Sequence, residues 1–83
     1  MELDENLDNL AQEMNRHDVI ADELRQRHLI TVVQYRRVIS KTGRYQANKY
    51  LLQLITSEPP AYLDGLKDAL IKTKQEEFLD YLP

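Results

Sequence analysis

The sequence predicts an all-α fold, a bundle of six short antiparallel helices, and three observations carry that prediction. First, the stretch Ala47–Ile55 repeats apolar residues at helical spacing, with Ala47, Leu51, Leu54 and Ile55 on one stripe. Tyr50 and Leu52 widen that stripe beyond what a surface helix shows, which places this helix at the centre of the bundle. Second, a proline-marked corner, TSEPP, follows at once and leads into another amphipathic run. Third, the one β-prone segment, Leu29–Val33, has no second strand anywhere in the chain to pair with.

The elements follow in order. Helix 1 is expected from about Leu3 to Asn15, with Leu3, Leu7, Leu10, Ala11 and Met14 on one face. Glu2, Asp4 and Glu5 crowd its first turn, where the helix dipole favours acids. Asp18 is placed to cap helix 2, whose buried positions are Val19, Ile20 and Leu24 and whose end carries Arg25 to His28. Thr31 can cap helix 3, from about Val32 to Ser40, in which Tyr35, Val38 and Ile39 carry the spacing. In an unfolded chain the Leu29–Val33 run is the expected aggregation site.

Lys41-Thr42-Gly43 is a turn, and helix 4 runs from about Arg44 to Thr56. Helix 5 begins near Ser57 or Glu58 with Pro59 or Pro60 in its first turn, where a missing N–H costs nothing. Leu63, Leu66 and Leu70 are its core stripe, and Gly65 within it suggests a close packing contact, since glycine there costs about 1 kcal/mol against alanine. Thr73 and Glu76 form a capping-box pattern for helix 6, with Phe78, Leu79 and Leu82 on its apolar side.

An 83-residue chain allows one domain and one modest core. There is no cysteine, so neither a disulfide framework nor a thiolate metal site supplements that core, which fits an intracellular and cytoplasmic setting. The acidic, periodic N-terminus is the opposite of a targeting peptide, and no apolar run approaches the roughly 20 residues of a membrane span. Because Pro83 falls just after helix 6, the chain is expected to be a module of a longer protein.

Net charge is only −3, but the charges fall in blocks. Residues 1–28 hold eight acids and three bases, residues 29–56 five bases and no acid, and residues 57–83 six acids and three lysines. Such segregation gives a domain faces of opposite sign, which can pair between copies or steer a partner. The alternative is that these charges only solvate a bundle.

Read together, several stretches are similar to one known family. These are Ile20-x-x-x-Leu24 leading into His28-Leu29-Ile30-Thr31; Ala47-x-x-x-Leu51-Leu52-x-Leu54-Ile55; Pro60-x-x-Leu63-x-x-Leu66-x-x-Ala69-Leu70; and Phe78-Leu79-x-x-Leu82. In this order and spacing the chain resembles the caspase-recruitment domain of the death-fold superfamily, most firmly from Val19 to Leu82. The resemblance implies a Greek-key-like six-helix bundle without cofactor. It implies that the domain recruits or oligomerises signalling partners in apoptotic or inflammatory complexes, so that tethered effectors are activated by proximity. The implied partners are similar domains, on a second copy, a caspase, an adaptor or a nucleotide-binding receptor, assembled as a homo-oligomer or helical filament.

Three features depart from the family pattern. The turn before helix 3, often glycine, is His28; helix 5 has Leu63 and Leu66 where aromatic residues are usual; and helix 1 is acidic while helix 3 carries Arg36 and Arg37. The last departure leaves open which charged patch meets which.

The leading candidates for partner contact are Arg36, Arg37, Lys41, Arg44 and Lys49, expected to form one electropositive surface. Asp18, Asp22 and Glu23 on helix 2 are the first acidic candidates, with Asp4, Glu5 and Asp8 second. Each exposed pair contributes only about 0–1 kcal/mol, so a contact of this kind gains strength by repetition around an assembly. Tyr45, Tyr62 and Tyr81 are further anchor candidates, against plain half-burial at the bundle edge. Lys67, Lys72 and Lys74 are read as solvating only.

A second reading is a small nucleic-acid-binding domain, because two helices joined by Lys41-Thr42-Gly43 with bases on both sides imitate a helix-turn-helix. The pI of about 5.3 argues against it. Catalysis is not expected: His17 and His28 border helix 2 without metal-pair spacing, Ser40 and Ser57 lack an arranged base, and Gly43 and Gly65 are the only glycines.

Overall fold

A computed structural model describes residues 4–82; the expectations for Glu2, Leu3 and Pro83 lie outside them. Among the described residues the chain is all-α, with α1 Glu5–Glu13, α2 His17–Gln26, α3 Val32–Ser40, α4 Arg44–Thr56, α5 Pro60–Lys72 and a closing 3-10 helix, Glu76–Tyr81. No described helix is long and apolar enough to cross a membrane.

Helix α4 touches α1, α2, α3 and α5, as its broad apolar face requires. Ala47, Leu51, Leu52 and Ile55 are buried in it, against Leu7, Leu10, Ala11 and Met14 of the α1 segment, Ile20 and Leu24 of α2, Val38 of α3, and Leu66 and Leu70 of α5. The radius of gyration is 11.2 Å, close to the roughly 12 Å of a single domain this long.

The helix ends explain where the pattern in the sequence misleads. α1 starts at Glu5 because Asp4 is its cap, accepting from the Leu7 N–H at 2.8 Å. Asp18 does not cap α2: the cap position is Arg16, in the left-handed region at φ 57°, and Asp18 lies within the first turn. Val19 is half-buried.

Both α2 and α5 end in a Schellman turn without glycine. Leu29 N–H donates to the Leu24 carbonyl at 2.9 Å and His28 N–H to Arg25 at 3.0 Å, with His28 at φ 62°. Gln75 N–H donates to Leu70 at 2.8 Å and Lys74 N–H to Ile71 at 3.1 Å, with Lys74 also at φ 62°. Thr73 therefore belongs to the end of α5, its hydroxyl donating to the Ala69 carbonyl, and the expected capping box with Glu76 does not form. The last element starts after Gln75 and is 3-10 rather than α.

Gly65 does permit a close approach. A Cβ there would overlap the Leu29 Cδ1 methyl, so the α2–α3 connection lies directly against α5.

Candidate interaction surface

Helix α3 is fixed at its start by a full capping box. Thr31 Oγ1 accepts from the Gln34 N–H at 3.0 Å, and Gln34 Oε1 accepts from the Thr31 N–H at 2.9 Å. That phase turns Val38 inward and leaves Tyr35 half-buried, with the Arg25 guanidinium 5.5 Å over its ring. The opposite consequence is that Val32, Val33 and Ile39 remain 49%, 55% and 42% exposed. Arg36 and Arg37 lie beside them, exposed, and their guanidiniums make no hydrogen bond or ion pair among the described residues.

The other three candidate cations are engaged within the molecule. Lys41 Nζ sits 4.7 Å from the centre of the Tyr50 ring, and half-buried Lys49 places its Nζ 5.9 Å from that of Tyr45, both within cation–π range. Arg44 reaches the end of α1, donating to the Gln12 carbonyl and to Asn15 Oδ1, each at 2.8 Å. One turn on, fully buried Asn48 donates through Nδ2 to the Ala11 and Met14 carbonyls at 2.9 and 2.7 Å. Helix α1 has no base in its own last turn, so Arg44 and Asn48 satisfy the carbonyls and negative dipole end that it leaves open.

The acidic candidates divide in the same way. Asp22 binds Arg25 at 2.7 Å and Gln26 at 2.8 Å, and the Arg25 hydrogen bond chiefly holds its carboxyl below the ordinary aspartate range. Glu23, 11% exposed at its side chain, accepts from Arg27 at 2.9 Å and approaches Lys72 of α5 at 3.3 Å. The Arg27 hydrogen bond keeps its carboxyl low against the opposing effect of desolvation. Glu23 thus ties α2 to α5, and Lys72 holds that tie rather than merely solvating its helix. Asp18 is exposed and makes no such bond among the described residues. Of the second acidic set, Asp4 caps α1, and Asp8 accepts from the Tyr45 hydroxyl at 2.5 Å, which raises the Tyr45 pKa. Glu5 is exposed.

No protein-family model, curated protein or solved structure matches the chain. The surface must therefore be read from its own chemistry. No group of three or more histidine, aspartate or glutamate side chains among the described residues is arranged to hold a metal ion. Tyr62 and Tyr81 are half-buried, the latter with its ring 6.4 Å from Phe78.

Of the eight leading candidates, three keep unengaged charged groups among the described residues: Arg36, Arg37 and Asp18. The exposed valines beside the arginines were not offered at all. The signal was present in the helical phase, because at about 100° per residue Val33 falls roughly opposite the Tyr35–Val38 side and Val32 about a quarter turn from it.

Proposed function

We propose that this chain is a homotypic protein-interaction domain of the caspase-recruitment kind, assembling with similar domains through the exposed face of α3. It is a non-catalytic recruiter that brings tethered effectors together, and a death-fold arrangement of its helices is part of the same reading. The observation that carries it is the pairing of two unengaged guanidiniums, Arg36 and Arg37, with exposed Val32, Val33 and Ile39 on one helix. Three exposed β-branched side chains grouped beside two arginines differ from the singly scattered apolar residues of an ordinary surface, and contact surfaces combine apolar area with arginine.

The resemblance gains support at its first departure. His28 occupies the turn where the family often has glycine, and its backbone adopts the left-handed conformation that glycine favours. The substitution therefore changes the residue without changing the path of the chain into α3. The nucleic-acid reading loses support, because Lys41, Arg44 and Lys49 already have intramolecular partners and, of the Arg36–Lys49 surface, only Arg36 and Arg37 remain for phosphates.

Light scattering and negative-stain microscopy on the domain and its Arg37→Glu variant test the proposal. Oligomers lost on charge reversal, with helical content kept, are the expected result. A monomer at every concentration, with no binding to similar domains, would sink it. Salt-sensitive retardation of a nucleic acid at micromolar protein would instead favour the second reading.

A further inference from the structure

A pocket between α1, the α4–α5 corner and α5 complements the α3 face in both chemistry and charge. It has a volume of about 280 Å³ and is lined by Leu7 of α1, Ile55 and Thr56 at the end of α4, Glu58 and Pro60 at the corner, and Leu63 of α5. Four of these six residues are apolar and the only charged one is acidic. The volume falls just below the roughly 300–1,000 Å³ of small-molecule sites, which suits one or two inserted side chains better than a ligand.

The α3 face is the complement. Val32, Arg36 and Ile39 follow at i, i+4 and i+7 on one exposed stripe, and Val33 and Arg37 form the next i, i+4 pair beside it. The valines at the start of the helix are thus each followed, one turn on, by an unengaged guanidinium. The pocket, by contrast, carries exposed Glu58 in its lining, and its α1 wall belongs to a segment with Asp4, Glu5, Asp8 and Glu13 and no base before Arg16. Residues 29–56, which include all of α3, contain no acid.

A single copy cannot bring the two together. α3 packs on α2 and α4 alone, whereas the pocket is walled by α1, the last turn of α4 and the start of α5. From this we infer that the Val32–Val33 end of α3 in one copy seats in the Leu7–Leu63 pocket of a second copy, with Arg36 or Arg37 over Glu58. The two surfaces differ, so the contact is head-to-tail, and each copy keeps a free knob and a free pocket. Repeated without ring closure, such a contact gives an open filament. This inference rests on the self-assembly proposed above and names its two halves.

Two exposed substitutions separate those halves: Val33→Glu spoils the knob and Glu58→Arg reverses the pocket rim. Sedimentation velocity is run on wild type, on each variant, and on their one-to-one mixture, with far-UV circular dichroism to show that helical content is kept. Wild type should assemble, and each variant alone should assemble at least tenfold more weakly. The mixture should form a dimer that does not grow, because Glu58→Arg still has a sound knob and Val33→Glu a sound pocket. Assembly of Val33→Glu at wild-type strength overturns the inference, as does a mixture that stays monomeric while wild type polymerises. If Arg37→Glu abolishes polymers that Val33→Glu leaves intact, the basic face survives and the knob does not. A wild type that never associates overturns the inference together with the self-assembly it rests on, whereas the wider proposal falls only if similar domains are not bound either.

Discussion

Replacing Asn48 tests the internal join on which the whole arrangement depends. Its side chain is fully buried, and its Nδ2 donates to the Ala11 and Met14 carbonyls at 2.9 and 2.7 Å, while its Oδ1 accepts from no described group. In Asn48→Ala two neutral hydrogen bonds are lost, about 1 kcal/mol each. The stranded carbonyls and the small void add about 1–2 kcal/mol, and removing the unpartnered Oδ1 returns about 1 kcal/mol. The expected net loss is about 2–3 kcal/mol, a large share of the roughly 4–12 kcal/mol available to a domain of this length. Melting should fall by about 10–20 °C.

Asn48→Asp sharpens the test by replacing the donor with a carboxyl at the negative end of α1. Burial, the two carbonyls and the α1 dipole all disfavour its ionised form, so its folded-state pKa lies above the unfolded value of about 4. Stability is then fully present below the unfolded value and is lost as pH rises through the folded one. Arg44, one turn earlier, is exposed and already engaged by Gln12 and Asn15, so it offsets only part of this cost. Urea denaturation followed by circular dichroism at pH 4.5 and 7.5 should show a deficit relative to wild type that is larger at the higher pH. A variant with alanine within about 0.5 kcal/mol of wild type, or one with aspartate equally impaired at both pH values, would refute the account.

Three other expectations follow from the helix ends and the ion pairs. His28→Gly and Lys74→Gly should each raise stability by about 0.5–1 kcal/mol in urea titrations, since relief of the left-handed backbone exceeds the added chain entropy; a loss would show that the side chains do more than occupy the turn. Wild type should melt lower as pH falls from about 5 to 3, because the depressed carboxyls of Asp22 and Glu23 stabilise the fold above their ordinary values of 3.8 and 4.5 and lose that effect on protonation. Glu23→Gln should melt lower at pH 7 yet fall less over that interval, as thermal scans at both pH values will check. Gly65→Ala should gain about 1 kcal/mol of helix propensity only when Leu29→Ala has cleared the methyl it would strike, so the two changes should be non-additive in a double-mutant cycle.

Much of the fold was legible because burial here follows helical spacing. The ranges of α3 and α4 agree with the periodic pattern, and Thr31, Leu51, Leu66 and Phe78 do what their positions indicate. The helix ends were not legible, and for a physical reason. A Schellman turn announces itself by glycine, and here His28 and Lys74 accept a strained backbone, so Thr73 has the pattern of a beginning when it is an end. Arg16 hides the start of α2 in the same way. The charged residues misled because sequence shows a sign but not a partner. Nothing local to Glu23 reveals that Lys72 waits on α5, and nothing local to Arg44 reveals the open carbonyl of Gln12.

Subtracting those internal partners is what gives the surface its direction. If all five cations of residues 29–56 were free, the domain would carry a diffuse positive face, equally suited to acidic proteins and to phosphates. Arg44 is instead bound to α1, and Lys41 and Lys49 lie over tyrosine rings, so of these five cations only the two arginines of α3, beside the exposed valines, keep unengaged guanidiniums. A phosphate backbone rewards charge and gains little from apolar side chains, whereas a folded partner rewards both together. Charge reversal at Arg37 and acid at Val33 should therefore fail alike if the partner is a protein. They should differ, with only the former mattering, if the partner is a nucleic acid.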